Sequence, residues 1–235
     1  MKKLSYLLLG LVSVNSFAGA YVDLSLGAMH RQLDGDKLSY QDSQAITSEI
    51  SVGYAGKKWD LGIDTLYSIS RAQNLKLNYG ETEIRDDFNW HSINIGPTLK
   101  YHVISKSGKW DFVPFVGAFY NHTVFENSAK LKGSNESEDK SHETWGYGGK
   151  LGMEFKKLTP NSSWAESVNY KVYGAYTKYR DVEGDYIVGN NVEEYKGDTP
   201  DNLHDYAVGF SVGFSIGDKL WKKTKSAAKT LATKI

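Results

Sequence analysis

The sequence predicts an all-β chain, an eight-stranded antiparallel up-and-down transmembrane β-barrel. Three observations carry the prediction. Apolar and polar residues alternate at period two through eight segments, the connections between segments alternate between long and short, and charge and tryptophan are sorted by strand end. Composition agrees. The 235 residues include 23 Gly, 16 Tyr, 9 Phe and 6 Trp but only 4 Pro, a mixture suited to twisted strands. There is no Cys, which excludes disulfides, a thiol nucleophile, thiolate metal sites and a lipoprotein anchor. The 28 basic and 28 acidic residues balance, so no bulk charge draws the chain to nucleic acid.

Residues 1–20 are expected to be a cleaved export signal. Lys2 and Lys3 precede an apolar run over 4–14, and Ala18-Gly19-Ala20 offers a small-residue cleavage site. The run is short for a helix crossing ~30 Å of hydrocarbon. The mature chain then starts at Tyr21.

The clearest strand is 205–216. Tyr206, Val208, Phe210, Val212, Phe214 and Ile216 share one face, and Asp205, Ala207, Gly209, Ser211, Gly213 and Ser215 share the other. The same alternation runs through 21–31, 46–55, 59–70, 90–104, 145–155 and 164–179, although Tyr173 is large for the polar face of the last. Segment 110–125 is the least regular. Phe115 and Phe119 fall opposite Trp110, Phe112, Val116 and Tyr120, which predicts either a bulge or an apolar patch inside the barrel. In hydrocarbon an open sheet edge is not tolerated, so the eight strands must close. Eight strands leave an interior just wide enough for side chains.

Long connections are expected at 32–45, 71–89, 126–144 and 180–205, and short ones near 56–58, 105–109 and 156–163. The long connections carry a summed formal charge of −11, whereas the short ones hold Lys57, Lys58, Lys106, Lys109, Lys156 and Lys157 and no acid. Trp59, Trp110 and Trp164 follow short turns, and Trp90 and Trp145 follow long connections. Amphipathic rings favour the membrane–water boundary, so these five are expected to form two interfacial girdles.

The polar face carries Asp23, Glu49, Asp60, Asp64, Lys100, His102, Lys150, Glu154 and Lys171. Buried charges need partners, and Asp64, Lys150, Glu154 and Lys171 are expected to form an ion-pair network that plugs the interior. A narrow ion or proton path is the competing use of the same residues. No EF-hand spacing occurs among the acidic connections, and no metal or cofactor is expected.

These features together resemble the small eight-stranded outer-membrane barrels of the OmpA/OmpX type, over residues 21–216. Pro114-Phe115-Val116-Gly117 is similar to a strand motif common in those families, and Gly209-x-x-Val212-x-Phe214 to the terminal-strand signal read by the barrel assembly machinery. The resemblance implies a porin-like monomer in a Gram-negative outer membrane with both termini periplasmic. It implies contact with outer-membrane lipids and lipopolysaccharide, passage through the assembly machinery, and no nucleic-acid partner. The role it implies is structural or surface-interacting, through long acidic extracellular loops.

The alternative is a lipid A or phospholipid acyl-modifying enzyme, since some barrels of this size have that activity. Such an enzyme needs a serine activated by an oriented base. Asn121-His122-Thr123 has a superficial resemblance to the His-x-Ser strand of lipid A deacylases, but Thr stands in place of Ser and no partner can be named, so no catalytic residue is assigned. The segment 217–235 holds six lysines and one aspartate. It could lie as an amphipathic helix on an anionic periplasmic leaflet or stay solvated.

Overall fold

The structure is a computed structural model. It describes residues 17–35, 38–56, 58–79, 82–103, 110–130, 137–159, 162, 165–188, 191–196 and 203–217. Trp164, most of the expected export signal and residues 218–235 of the basic tail lie outside the described residues.

Among the described residues nine strands follow one another: β1 Phe17–Asp34, β2 Leu38–Gly56, β3 Trp59–Tyr79, β4 Thr82–Tyr101, β5 Trp110–Lys130, β6 Ser137–Leu158, β7 Ser167–Val188, β8 Asn191–Lys196 and β9 His204–Ile216. Each of β1 to β7 pairs antiparallel with the next, β9 pairs with both β7 and β1, and the sheet closes on itself. The wall therefore has eight strands. The short β8 pairs with the far end of β7 and belongs to a ribbon above the wall.

The closure can be read residue by residue. A row of paired residues that leaves β4 at Lys100 passes Phe115, Gly152, Tyr173, Gly209, Met29, Ala45 and Ser70, and re-enters β4 at Trp90, ten positions away. Strands sheared by this amount in an eight-stranded barrel tilt by roughly 40°. The offset is even, so a residue that faces inward on one strand meets inward residues all the way round.

The expected eight wall strands are present, but they are longer than the hydrophobic alternation indicates. Ladder pairing continues to Tyr79↔Thr82 between β3 and β4 and to Lys130↔Ser137 between β5 and β6. Much of what reads as long loop is two-stranded ribbon. The irregular strand resolves simply: β5 pairs with β6 without a register shift from Trp110 to Lys130, so there is no bulge there. Phe115 and Phe119 are buried inside, and Phe115 packs in one cluster with Leu66 and the large inward Tyr173.

Small inward residues make room for these rings. A Cβ on Gly209 would lie 2.3 Å from Cζ of Tyr173, and one on Gly148 would lie 2.7 Å from Cζ of Phe119. The missing side chains on the facing strands are the space that the aromatic rings occupy.

Candidate functional site

The outer and inner walls have opposite chemistry. Outward positions present Leu26, Ile46, Ile63, Leu151, Val208 and other large apolar side chains to the surroundings. Inward positions bury Asp23, Glu49, Asp60, Asp64, Lys100, His102, Lys150, Glu154 and Lys171, the nine residues assigned to that face from alternation. A protein dissolved in water would have the reverse arrangement. The chain is a transmembrane β-barrel.

The charges sit in contiguous tiers inside this barrel. Near the short turns, His102 lies between Asp60 (Nε2–Oδ2 2.9 Å) and Asp111 (Nδ1–Oδ2 2.6 Å). Lys100 donates to Asp23 at 2.6 Å and lies 3.3 Å from Glu154, while Lys156 approaches the same two acids at 3.8 and 3.6 Å. Asp23 also accepts from Ser215 Oγ at 2.5 Å. In the next tier Lys150 bridges Asp64 (2.6 Å) and Glu49 (3.1 Å), and Lys171 reaches Glu49 at 3.2 Å. Asp64 further accepts hydrogen bonds from Ser51 and from Thr98 Oγ1, the latter at 2.6 Å.

Of the four residues expected to form one network, Asp64 and Lys150 pair directly. Lys171 joins them through Glu49, and Glu154 belongs instead to the tier of Lys100 and Lys156. Lys156 is a correction to the turn charge. It sits inside β6, which runs to Leu158, and its side chain is buried. It shares the parity of Lys150 and Glu154, and that parity points it inward.

A third tier near the long ribbons was not anticipated. Arg31 donates through Nε and Nη2 to Asp205, through Nη1 to Ser68 (3.2 Å) and Ser92 (3.0 Å), and through Nη2 to the Tyr179 hydroxyl (3.3 Å). Its guanidinium lies 3.6 Å from the centre of the Trp90 ring. Trp90 Nε1 donates to Ser92 Oγ at 3.1 Å, and Ser92 in turn contacts Thr123 at 2.7 Å.

Trp90 therefore corrects the girdle assignment, because it is 0% exposed and points into the barrel. Trp59, Trp110 and Trp145 do face outward; Trp145 stacks on Tyr120, and Trp59 and Trp110 meet Tyr101 and Tyr170 at a tilt. Parity would have separated the four: Trp90 has the parity of inward Ser92 and Thr98, and the other three have outward parity.

The resemblance to a deacylase strand does not survive the geometry. Asn121 and Thr123 face inward, whereas His122 lies on the outer wall with its ring 3.9 Å from that of Trp145. The residue two positions on, which shares the outer face with His122, is Val124 rather than a hydroxyl. His91 and His204 likewise engage tyrosine hydroxyls, Tyr67 at 2.9 Å and Tyr176 at 2.7 Å. Among the described residues no group of three or more His, Asp or Glu is placed to hold a metal ion.

No protein-family model matches the chain, and no curated protein matches it. Solved structures do. The attachment invasion locus protein Ail of Yersinia pestis is 14% identical, with 84% of this chain and 99% of that one covered at a TM-score of 0.44. Outer membrane protein W of Escherichia coli is 20% identical, with 84% and 98% covered at 0.38. The outer membrane protease OmpT of Escherichia coli is 9% identical, with 88% and 99% covered at 0.47.

Proposed function

We propose that this barrel is an integral outer-membrane protein with a structural or surface-interaction role and a lumen closed to diffusion. The observation that carries the proposal is the tiered ion-pair network. Glu49, Asp64, Lys150 and Lys171 fill one level, and Asp23, Lys100, Glu154 and Lys156 fill the next. The cavity beside Lys150 and Asp64 measures about 10 Å³, room for about one water molecule.

The long acidic connections then face the exterior, and the lysine-bearing short turns and both termini face the periplasm. Signal cleavage after Ala20 would remove Phe17–Ala20 from β1 and leave the strand from Tyr21 onward. The barrel is a monomer that contacts outer-membrane lipids and lipopolysaccharide and is delivered by the barrel assembly machinery. The acyl-modifying alternative has less support, since His122 packs on Trp145 and has no hydroxyl two residues along its face.

Planar-bilayer recording of the refolded chain tests the closed lumen. The expected result is no steady conductance above the lipid baseline. A stable ion-selective conductance would replace the closed lumen with an ion path. Mass spectrometry of lipid A and phospholipids from cells with and without the protein tests the alternative. An unchanged acyl profile is expected, and a gained or lost acyl chain would make the barrel an enzyme.

A further inference from the structure

The outer wall is not uniformly covered. Between β6, β7, β9 and β1 lies a trough of about 420 Å³. It is opened by two outward glycines on neighbouring strands, Gly149 and Gly174. The internal packing does not demand glycine at either position. A Cβ on Gly174 would come no nearer than 3.9 Å to the Ala207 carbonyl oxygen, and one on Gly149 no nearer than 3.4 Å to that of Gly117. Gly148 is the contrast, because a Cβ there would lie 2.0 Å from the Tyr176 carbonyl oxygen. The flanks of the trough are the exposed side chains of Leu151, Val208, Tyr176 and Tyr206, and His30 and Gln32 line it on the β1 side.

The same face ends in cations. Outward positions along β7 run Gly174, Tyr176, Lys178 and Arg180, which places Lys178 about 13 Å and Arg180 about 20 Å beyond Gly174 along an extended strand. The register puts Lys178 between Tyr147 on β6 and His204 on β9. Arg180 is displaced by a β-bulge: Trp145 pairs with Asp181 and Gly146 with Tyr179, leaving Arg180 as the extra residue. Its exposed guanidinium turns over the Tyr147 ring at 5.3 Å. Among the described side chains two carboxylates share the rim. Asp34 pairs with His204 in the ladder, and Glu143 lies 3.5 Å from His122. Neither occupies the line from Gly174 to Arg180.

A largely apolar trough inside the lipid-facing band, with a Lys–Arg pair two and four residues beyond its Tyr176 on the same strand, matches a molecule that is an acyl chain at one end and an anion at the other. Lipid is the solvent of this wall, and a phosphate ester is the lipid anion that arginine and lysine bind best. We propose that the trough seats one acyl chain of a phosphorylated glycolipid in the leaflet next to the long ribbons, with its phosphate on Lys178 and Arg180. This rests on the outer-membrane reading, in which that leaflet is built from diphosphorylated lipid A.

The test titrates the full-length chain in detergent with diphosphoryl lipid A and, in parallel, with dephosphorylated lipid A, and counts bound lipid by native mass spectrometry. One diphosphoryl lipid A should be retained, at least tenfold more tightly than its dephosphorylated form. Gly174→Leu combined with Gly149→Leu should fill the trough and weaken binding of both forms about tenfold. Lys178→Ala with Arg180→Ala should abolish the preference for phosphate while the dephosphorylated form binds as before. The folded band in unheated gels confirms that each variant is a barrel. Binding unchanged by the leucine pair, equal affinity for the two lipids, or a second copy of the chain in place of the lipid would overturn the inference. Failure of the wild type to insert into phosphatidylcholine vesicles would overturn the membrane reading itself, whereas insertion without lipid A binding would overturn the trough alone.

Discussion

The guanidinium carbon of Arg31 on β1 lies over the ring of Trp90 on β4, 3.6 Å from its centre, and both side chains are fully buried. The charge of Arg31 is met by Asp205 on β9, so this one contact set ties together three strands, two of them the first and last of the wall. Breaking a buried pair by removing one partner leaves the other charge stranded, at a cost of roughly 3–5 kcal/mol. Arg31→Ala is expected to lose about that much stability in urea unfolding from lipid vesicles. Arg31→Ala with Asp205→Ala should lose less than Arg31→Ala alone, because no unpaired carboxylate remains. Equal losses would mean that the pair does not act as a unit.

The inward position of Trp90 separates it from the other tryptophans. Single-tryptophan variants reconstituted in brominated lipid should show strong quenching for Trp145, Trp110 and Trp59, which face outward, and almost none for Trp90. Strong quenching of Trp90 would put it back at the interface and would displace Arg31 from its cradle.

These two cases show what the alternation conveys and where it stops. Side-chain parity was legible for all nine inward charges assigned to the polar face, because a strand has only two faces and hydrocarbon tolerates charge on neither side but the inner one. Trp90 has inward parity, yet its place at a strand end reads as interfacial. Lys156 also has inward parity, yet beside Lys157 it reads as turn. Arg31 has the parity of Asp23 and Ser25 but sits where the alternation fades. The ribbons were hidden for a related reason. The alternation breaks over Arg71-Ala72-Gln73-Asn74 and resumes only at Leu75, Leu77 and Tyr79, beyond a register shift, so the ladder that runs on to Tyr79↔Thr82 reads as loop.

The lower tiers predict asymmetric costs. Glu49 is shared by Lys150 at 3.1 Å and Lys171 at 3.2 Å, while Lys150 also holds Asp64 at 2.6 Å. Glu49→Gln should therefore take from Lys171 its paired carboxylate, leave Lys150 with Asp64 alone, and cost about 3–5 kcal/mol. Ser51→Ala should cost less, about 1–3 kcal/mol, because Asp64 keeps Thr98 and Lys150 when the serine hydroxyl is removed. Vesicle unfolding curves that ranked Ser51→Ala above Glu49→Gln would show that the network does not depend on shared charge.

The fit between Tyr173 and Gly209 gives a prediction that no charge argument makes. A methyl group on Gly209 would stand 2.3 Å from Cζ of the Tyr173 ring, and the ring is buried against Leu66 and Phe115. The ring cannot swing away without disturbing that cluster, so Gly209→Ala should cost about 1–3 kcal/mol as an overpacking change. Tyr173→Ala should be destabilising by itself, by about 3–5 kcal/mol as large aromatic-to-alanine changes are. The double variant should be more stable than the sum of the two losses implies, because the methyl group then enters space the ring has left. A double-mutant cycle measures that coupling directly, and residues in contact typically couple by about 0.5–3 kcal/mol. Gly174→Ala is the internal control, since its Cβ would meet nothing closer than 3.9 Å and should leave the unfolding midpoint within about 0.5 kcal/mol of wild type. Additive losses at 173 and 209, or equal losses at 174 and 209, would show that inward glycine at 209 is not there to admit the ring.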